Sequence, residues 1–315
     1  MLWLRLVLAA WSATALQPAA APRCVVVTGG PCSGKTSAIE ALPPTTPGGL
    51  RVLRVKEAAT LYHERGGRLP FAKGQGHRNE LWEAWLLELK LSLENGARRR
   101  AERDARACGA GFLVVCDRGT LDSRAYCADE GAWRRVLALG GWRERELVER
   151  YAGVVHLGAA PDAAYNTDNS ARTESCADAR RLGDAVRRGW ADAAHAAPRP
   201  PRFAAVDDVD WDAKLSSCHE AIDALSSFPA AAVRPRLADL ALPVDFIVRQ
   251  ADRVAASDDL DAFYGASAAV LRHVQRLRRR AALESAFAVA RTAPDAAVAA
   301  AWRSSENEAA VAFAR

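Results

Sequence analysis

Short, almost unbroken apolar runs alternate with longer stretches of three- and four-residue periodicity from Cys24 to Ser226. Cys24–Thr28 reads CVVVT, a β-branched run that suits a buried strand. RVLRV (Arg51–Val55), FLVVC (Phe112–Cys116), VVHLG (Val154–Gly158) and FAAV (Phe203–Val206) repeat the pattern. Between them the spacing predicts helices. The first runs from Ser37 to Leu42 and is closed by Pro43, Pro44, Pro47, Gly48 and Gly49. A long one spans Asn79 to Cys108, with Leu81, Trp82, Trp85, Leu86, Leu89 and Leu93 on one face. Others cover Ala132–Tyr151, the stretch ending near Ala194, and Trp211–Ser226.

Strands separated by helices predict an α/β fold, a three-layer sandwich around a five-stranded parallel sheet. Right-handed crossovers put the loops after the strands at one sheet edge, where ligands bind. Gly29, Glu57 and Asp117 all follow strands, so the pattern gathers them there.

The ends of the chain read differently. Residues 1–22 hold one early cation, Arg5, an apolar run from Leu6 to Ala15 and no acid. Two readings stay open, a targeting leader or an apolar extension, and with them a cytoplasmic or an organelle-targeted location. The nucleotide-binding unit is expected over 23–228. Beyond it, 229–315 is rich in Ala and Arg, with helical patterning. Its most basic element, LRHVQRLRRRA (Leu271–Ala281), is either a solvated helix face or a contact for anionic lipid.

Composition narrows the picture only slightly. The 315 residues are 50% hydrophobic and 26% charged, which suits a globular chain with a sizeable core. The formal charge of +5 rests almost wholly on arginine, with only 5 lysines among the 43 basic residues, as coding bias produces. No aromatic-plus-basic groove motif accompanies it, so no nucleic-acid partner is expected. The seven cysteines include no C-x-x-C pair and point to neither zinc nor a disulfide framework. Cys24 and Cys116 read as small buried hydrophobes.

The chemistry concentrates in one motif. Gly29-Gly30-Pro31-Cys32-Ser33-Gly34-Lys35-Thr36 fits G-x-x-x-x-G-K-[ST], between a strand and a helix as that motif requires. Its backbone N–H groups and the following helix N-terminus suit triphosphate oxygens. Lys35 is the candidate for the β- and γ-phosphates, and Thr36 for Mg²⁺. Asp117, closing a hydrophobic strand, is the candidate Walker B carboxylate and second metal ligand. Arg118 is a candidate for phosphate or acceptor, and Asp122 for a second acid or a helix cap. Glu57 is placed to take a hydroxyl proton. Arg172, in the polar run after the fourth strand, is a candidate lid cation that closes over the triphosphate. ATP and GTP both stay open, since no [NT]-K-x-D segment is present.

Four blocks, VVVTGGPCSGKTSAIEAL, VKEAATLYHERGG, LVVCDRGTLDSRAY and NSARTESCADA, resemble the P-loop domain shared by NadR-type kinases and the TRPL-translocation-defect proteins. The resemblance covers Cys24 to Ser226. It implies an AAA-labelled, kinase-like domain that binds ATP or GTP with magnesium. Phosphate binding then falls to Lys35 and Thr36, metal binding to Asp117, and site roles to Glu57, Arg118 and Arg172. The expected function is phosphoryl transfer to a small-molecule hydroxyl. The alternative is a nucleotide-dependent binding or trafficking module at phosphoinositide membranes. The chain departs from the pattern at Lys56, where proline is expected, and at Leu81-Trp82, where Phe-Gln is expected. Leu240–Gln250 is a faint echo of a C-terminal triphosphate-tunnel domain, for which too few residues follow.

Overall fold

The computed structural model describes residues 21–64, 76–161 and 175–227, with the side chains of 76–78 also outside the description. Residues 1–20, the segment around Arg172 and the region from 228 onward, including Leu271–Ala281, lie outside it.

Five strands form one parallel sheet: β1 (Arg23–Gly29), β2 (Arg51–Val55), β3 (Phe112–Asp117), β4 (Gly153–Leu157) and β5 (Arg202–Val206). Their order is β2-β3-β1-β4-β5. The central strands are buried on both faces, which is why β1, β3 and β4 read as continuous apolar runs rather than alternating ones. The register pairs Val27 with Asp117 and Gly29 with Leu157. The end of β1 therefore lies between the ends of β3 and β4, and every connection emerges at the predicted edge.

Helices cover both faces, as the strand–helix alternation implies. On one side α1 (Lys35–Glu40) and α7 (Trp211–Ser226) bury Ala38, Ile39, Cys218, Ile222 and Leu225 against Val25, Val27, Val115 and Val155. On the other, α3 (Gly76–Cys108) and α6 (Cys176–Ala196) lie against the sheet over Val26, Val114 and Val154, while α4 (Glu130–Gly140) packs on α3 and α5 (Glu144–Val148) on α6. The Cys24 and Cys116 thiols meet there, 3.6 Å apart, in the apolar role expected of them.

Two short elements have no counterpart in the sequence reading: α2 (Ala58–Glu64) and a 3-10 helix over Thr120–Tyr126. The helix expected over Ala132–Tyr151 is two helices. Gly141, left-handed at φ 65°, caps α4, and its N–H bonds Ala138 O at 3.2 Å. The long helix does more than bury an apolar stripe. Glu80, Glu83, Glu88, Lys90, Glu94 and Asn95 are buried as well, because α3 is covered on both sides. Arg150 bridges Glu94 and Asn95 at 2.8 and 2.6 Å, and Tyr151 donates its hydroxyl to Glu94 at 2.6 Å. Buried charges are retained where partners surround them in this way.

Candidate phosphate-binding and metal site

The strand β1 ends at Gly29 and α1 begins at Lys35, so the turn between them is Gly30–Gly34, and the motif Gly29–Thr36 runs from the strand end into the first residues of the helix. Gly34 sits at φ 87°, in the left-handed region. A Cβ there would also stand 2.5 Å from Trp211 Cζ3, so the position excludes a side chain twice over. Gly30 is fixed by contact: a Cβ would meet Ala179 O of α6 at 2.4 Å. Cys32 holds φ 59°, an uncommon conformation for a non-glycine residue and one that helps the loop curl inward. Pro31 and Ser33 are buried, and Cys32 and Gly34 are half-buried.

Lys35 is buried and folds back over the loop. Its Nζ donates to Gly30 O at 2.7 Å and to Ser33 Oγ at 3.2 Å. Burial, with the nearby Arg118 charge, lowers its pKa to about 8, although Asp117, Glu57 and Asp122 favour the charged form. An amine so placed gains from an anion laid in the loop.

Thr36 Oγ1 donates to Asp117 Oδ2 at 2.5 Å. Asp117 Oδ1 is buried without a hydrogen-bond partner. Burial and the charge of Glu57 raise the Asp117 pKa. A paired hydroxyl and carboxylate, with one buried oxygen lacking a partner, fit a hard divalent cation. Magnesium takes few protein ligands and completes its shell with phosphate oxygens and water. The donor set expected from the sequence is therefore assembled in space.

Glu57 stands just beyond β2, one strand further along the edge. Arg118 Nε donates to its Oε1, and Thr60 Oγ1 donates to Oε2 at 2.9 Å. Burial alone would raise the Glu57 pKa. The charges of Arg118 and Lys35 and the two hydrogen bonds outweigh it and hold the value at about 2. Glu57 is thus an anion at neutral pH. The neighbouring Lys56 points to the surface, where it pairs with Glu64 at 3.3 Å.

Arg118 is the keystone of the cluster. Its backbone is left-handed at φ 65°, a strained conformation often found at functional sites. Besides Glu57, it donates to Gly29 O at 3.2 Å, approaches Asp122 Oδ2 at 3.7 Å and lies 5.9 Å from the Tyr126 ring centre. It therefore ties β1, β2 and the 3-10 helix together. Asp122 is neither a helix cap nor exposed. It accepts from Thr28 Oγ1 at 2.7 Å and Trp190 Nε1 at 2.8 Å, fully buried.

Lys35, Thr36, Glu57, Asp117 and Arg118 are thus brought together as the sequence suggested, and Arg172 lies outside the described residues. Behind them lies a buried polar network that no sequence motif marks. Lys90 donates to Ser123 Oγ at 3.1 Å, and Glu83 is buried beside it with Oε2 lacking a partner. Burial raises the Glu83 pKa to about 7, although Lys90 and Ser123 favour its charge. The available signal was charged residues interrupting the apolar face of a long helix.

A family model described as an AAA domain matches residues 24–199, more than half of the chain. Among solved structures, one titled as NadR protein in complex with NR matches with a TM-score of 0.44 at 17% identity. That match covers 66% of this chain and 52% of the NadR chain, so the chain spans about half of that protein. No curated protein matches.

Proposed function

Because the chain belongs to this AAA-domain family, a family of nucleotide-binding P-loop proteins, we propose that it is a magnesium-dependent phosphotransferase. It moves the terminal phosphoryl group of ATP or GTP to the hydroxyl of a small molecule. The observation that supports this most directly is the placement of Glu57. An ionised carboxylate, oriented by Arg118 and Thr60, stands one strand beyond the Thr36–Asp117 pair at the same sheet edge. Besides pairing with Arg118, the carboxylate is only half-buried, its side chain 20% exposed, so an acceptor hydroxyl can reach it from the sheet edge.

In this reading the loop N–H groups and Lys35 bind the triphosphate and orient its terminal group. Magnesium, held by Thr36 and Asp117, would neutralise phosphate charge. Glu57 accepts a hydrogen bond from the acceptor hydroxyl and aims its oxygen at the terminal phosphorus. The new O–P bond forms as the bond to the β-phosphate oxygen breaks, the nucleoside diphosphate leaves, and the hydroxyl proton passes to an oxygen of the transferred phosphoryl group and from there to water. With its pKa held near 2, Glu57 is a weak base. Its contribution is orientation, which suffices where the transition state is loose and the hydroxyl proton leaves late.

A transfer screen tests the proposal. The purified chain is given labelled ATP or GTP, magnesium and a panel of nucleosides, ribosides and other small alcohols. Transfer to an acceptor, reduced about 100-fold in Glu57→Ala with nucleotide affinity retained, supports it. Nucleotide binding with no transfer to any acceptor leaves a nucleotide-dependent binding module instead.

A further inference from the structure

Six tryptophans fall among the described residues, and five of them (Trp82, Trp85, Trp133, Trp142 and Trp190) are no more than 8% exposed. Trp211 is the exception, at 42%. A large ring left this open to water is unusual for a residue that could turn inward. Its position is not incidental. Its six-membered ring lies over Gly34, with Cζ3 and Cη2 at 2.5 and 3.1 Å from where a Cβ would stand. The Cζ3 corner of the ring therefore abuts the phosphate loop immediately before Lys35 and Thr36, while the ring as a whole stays 42% exposed.

The mounting is rigid. Trp211 opens α7, whose N-cap Asp210 accepts from Ala213 N at 2.9 Å. One turn along, the buried Lys214 donates to Gly158 O at 3.1 Å and to Ala159 O at 3.4 Å. The start of α7 is thus bolted to the loop after β4, next to the strand that carries the phosphate loop. The adjoining residues at the start of α1, Thr36 and Ser37, are themselves exposed. A nucleotide with its phosphates in the loop has to leave the loop on an exposed side, and this is one that an aromatic surface flanks.

We infer that Trp211 is the nucleobase platform of this site, its indole stacking the base of a purine nucleoside triphosphate. This rests on the phosphate-loop reading above and goes beyond it by placing the base. Stacking on an aromatic face tolerates different bases, because every base presents a π-surface. That suits a chain with no guanine-reading segment, and it predicts that ATP and GTP bind comparably. Purines offer the indole more area than pyrimidines and bind more tightly.

The test compares ligands with and without a base. Binding of ATP, GTP and inorganic tripolyphosphate, each with magnesium, is measured by calorimetry for the full chain, Trp211→Ala and Trp211→Phe. Circular dichroism checks that each variant is folded. The expected result is that Trp211→Ala weakens ATP and GTP by about 5- to 100-fold, leaves tripolyphosphate within about twofold, and is largely rescued by Trp211→Phe. ATP should also change the tryptophan emission of the wild type, and this change should be absent in Trp211→Phe. Equal weakening of all three ligands would overturn the inference, since Trp211 then only props Gly34. Unchanged ATP binding in Trp211→Ala overturns the platform while leaving the phosphate loop intact. Failure of the folded wild type to bind either ATP or tripolyphosphate overturns the phosphate-loop reading, and the platform with it.

Discussion

Thr36 Oγ1 donates a 2.5 Å hydrogen bond to Asp117 Oδ2, joining the last residue of the phosphate loop to the last residue of β3. These residues are 81 positions apart, and the parallel pairing of β1 with β3 makes them neighbours. If the pair is the cation site, magnesium should strengthen ATP binding in the wild type and do little in Asp117→Asn. The loss should be about tenfold or more, the range of a charge-assisted contact. Calorimetric titration with magnesium and with chelator measures it, and an undiminished magnesium effect in the variant would reject the assignment.

Lys35 should make nucleotide binding depend on pH in a defined direction. With a pKa of about 8 in the unliganded chain, it is charged below that value and neutral above it. A triphosphate binds the charged form, so affinity should fall as pH rises past about 8, approaching about tenfold per pH step of one. Lys35→Ala should bind more weakly by about 1.5–3 kcal/mol at neutral pH and show a flatter profile. Identical profiles for the two proteins would show that Lys35 does not touch the phosphates.

Asp122 should matter for stability before it matters for activity. Its carboxylate serves Thr28 and Trp190 and lies 3.7 Å from Arg118. Asp122→Ala leaves a buried hydroxyl and an indole N–H without an acceptor and removes a counter-charge from Arg118. The expected cost is about 3 kcal/mol or more. Asp122→Asn, which keeps an acceptor oxygen, should cost less. Denaturant unfolding ranks the three proteins, and equal midpoints would show that the network is not stabilising.

Glu83 gives a pH dependence of the opposite origin. Its pKa is raised from 4.5 to about 7, so between those values the folded chain holds a proton that the unfolded chain releases. Stability should therefore fall as pH rises from about 4.5 to 7 and then level off. Glu83→Gln carries no charge and should lose that slope. Relative to wild type it should gain up to about 3 kcal/mol by pH 8. Unfolding midpoints at pH 5 and pH 8 test this, and parallel behaviour of the two proteins would place an ionised carboxylate at Glu83.

How much of this was legible beforehand follows from the range of the forces involved. Periodicity is local, and burial on both faces leaves a continuous apolar run, so all five strands and the parallel sheet could be read from the chain. The phosphate loop was legible for the same reason: its eight residues need a fixed order because backbone and glycine geometry act over neighbouring positions. Placing Glu57, Asp117 and Lys35 at one edge needed only the rule that parallel strands point one way. The break at Gly141 was not legible, because a glycine becomes a helix cap only where packing makes the chain turn. Asp122 shows the same limit. One residue type serves as a cap, an acid or a buried acceptor, and only Thr28 and Trp190, from β1 and α6, decide which. Trp211 carries no sequence signal at all: its ring lies on Gly34 because β5 brings α7 back beside β1, some 177 residues further along the chain. Sequence alone determined the elements and the loop that repeats a local geometry. The tertiary structure decided which distant side chains share a charge, a hydrogen bond or a face, since those interactions act through space and the chain order does not encode their distances.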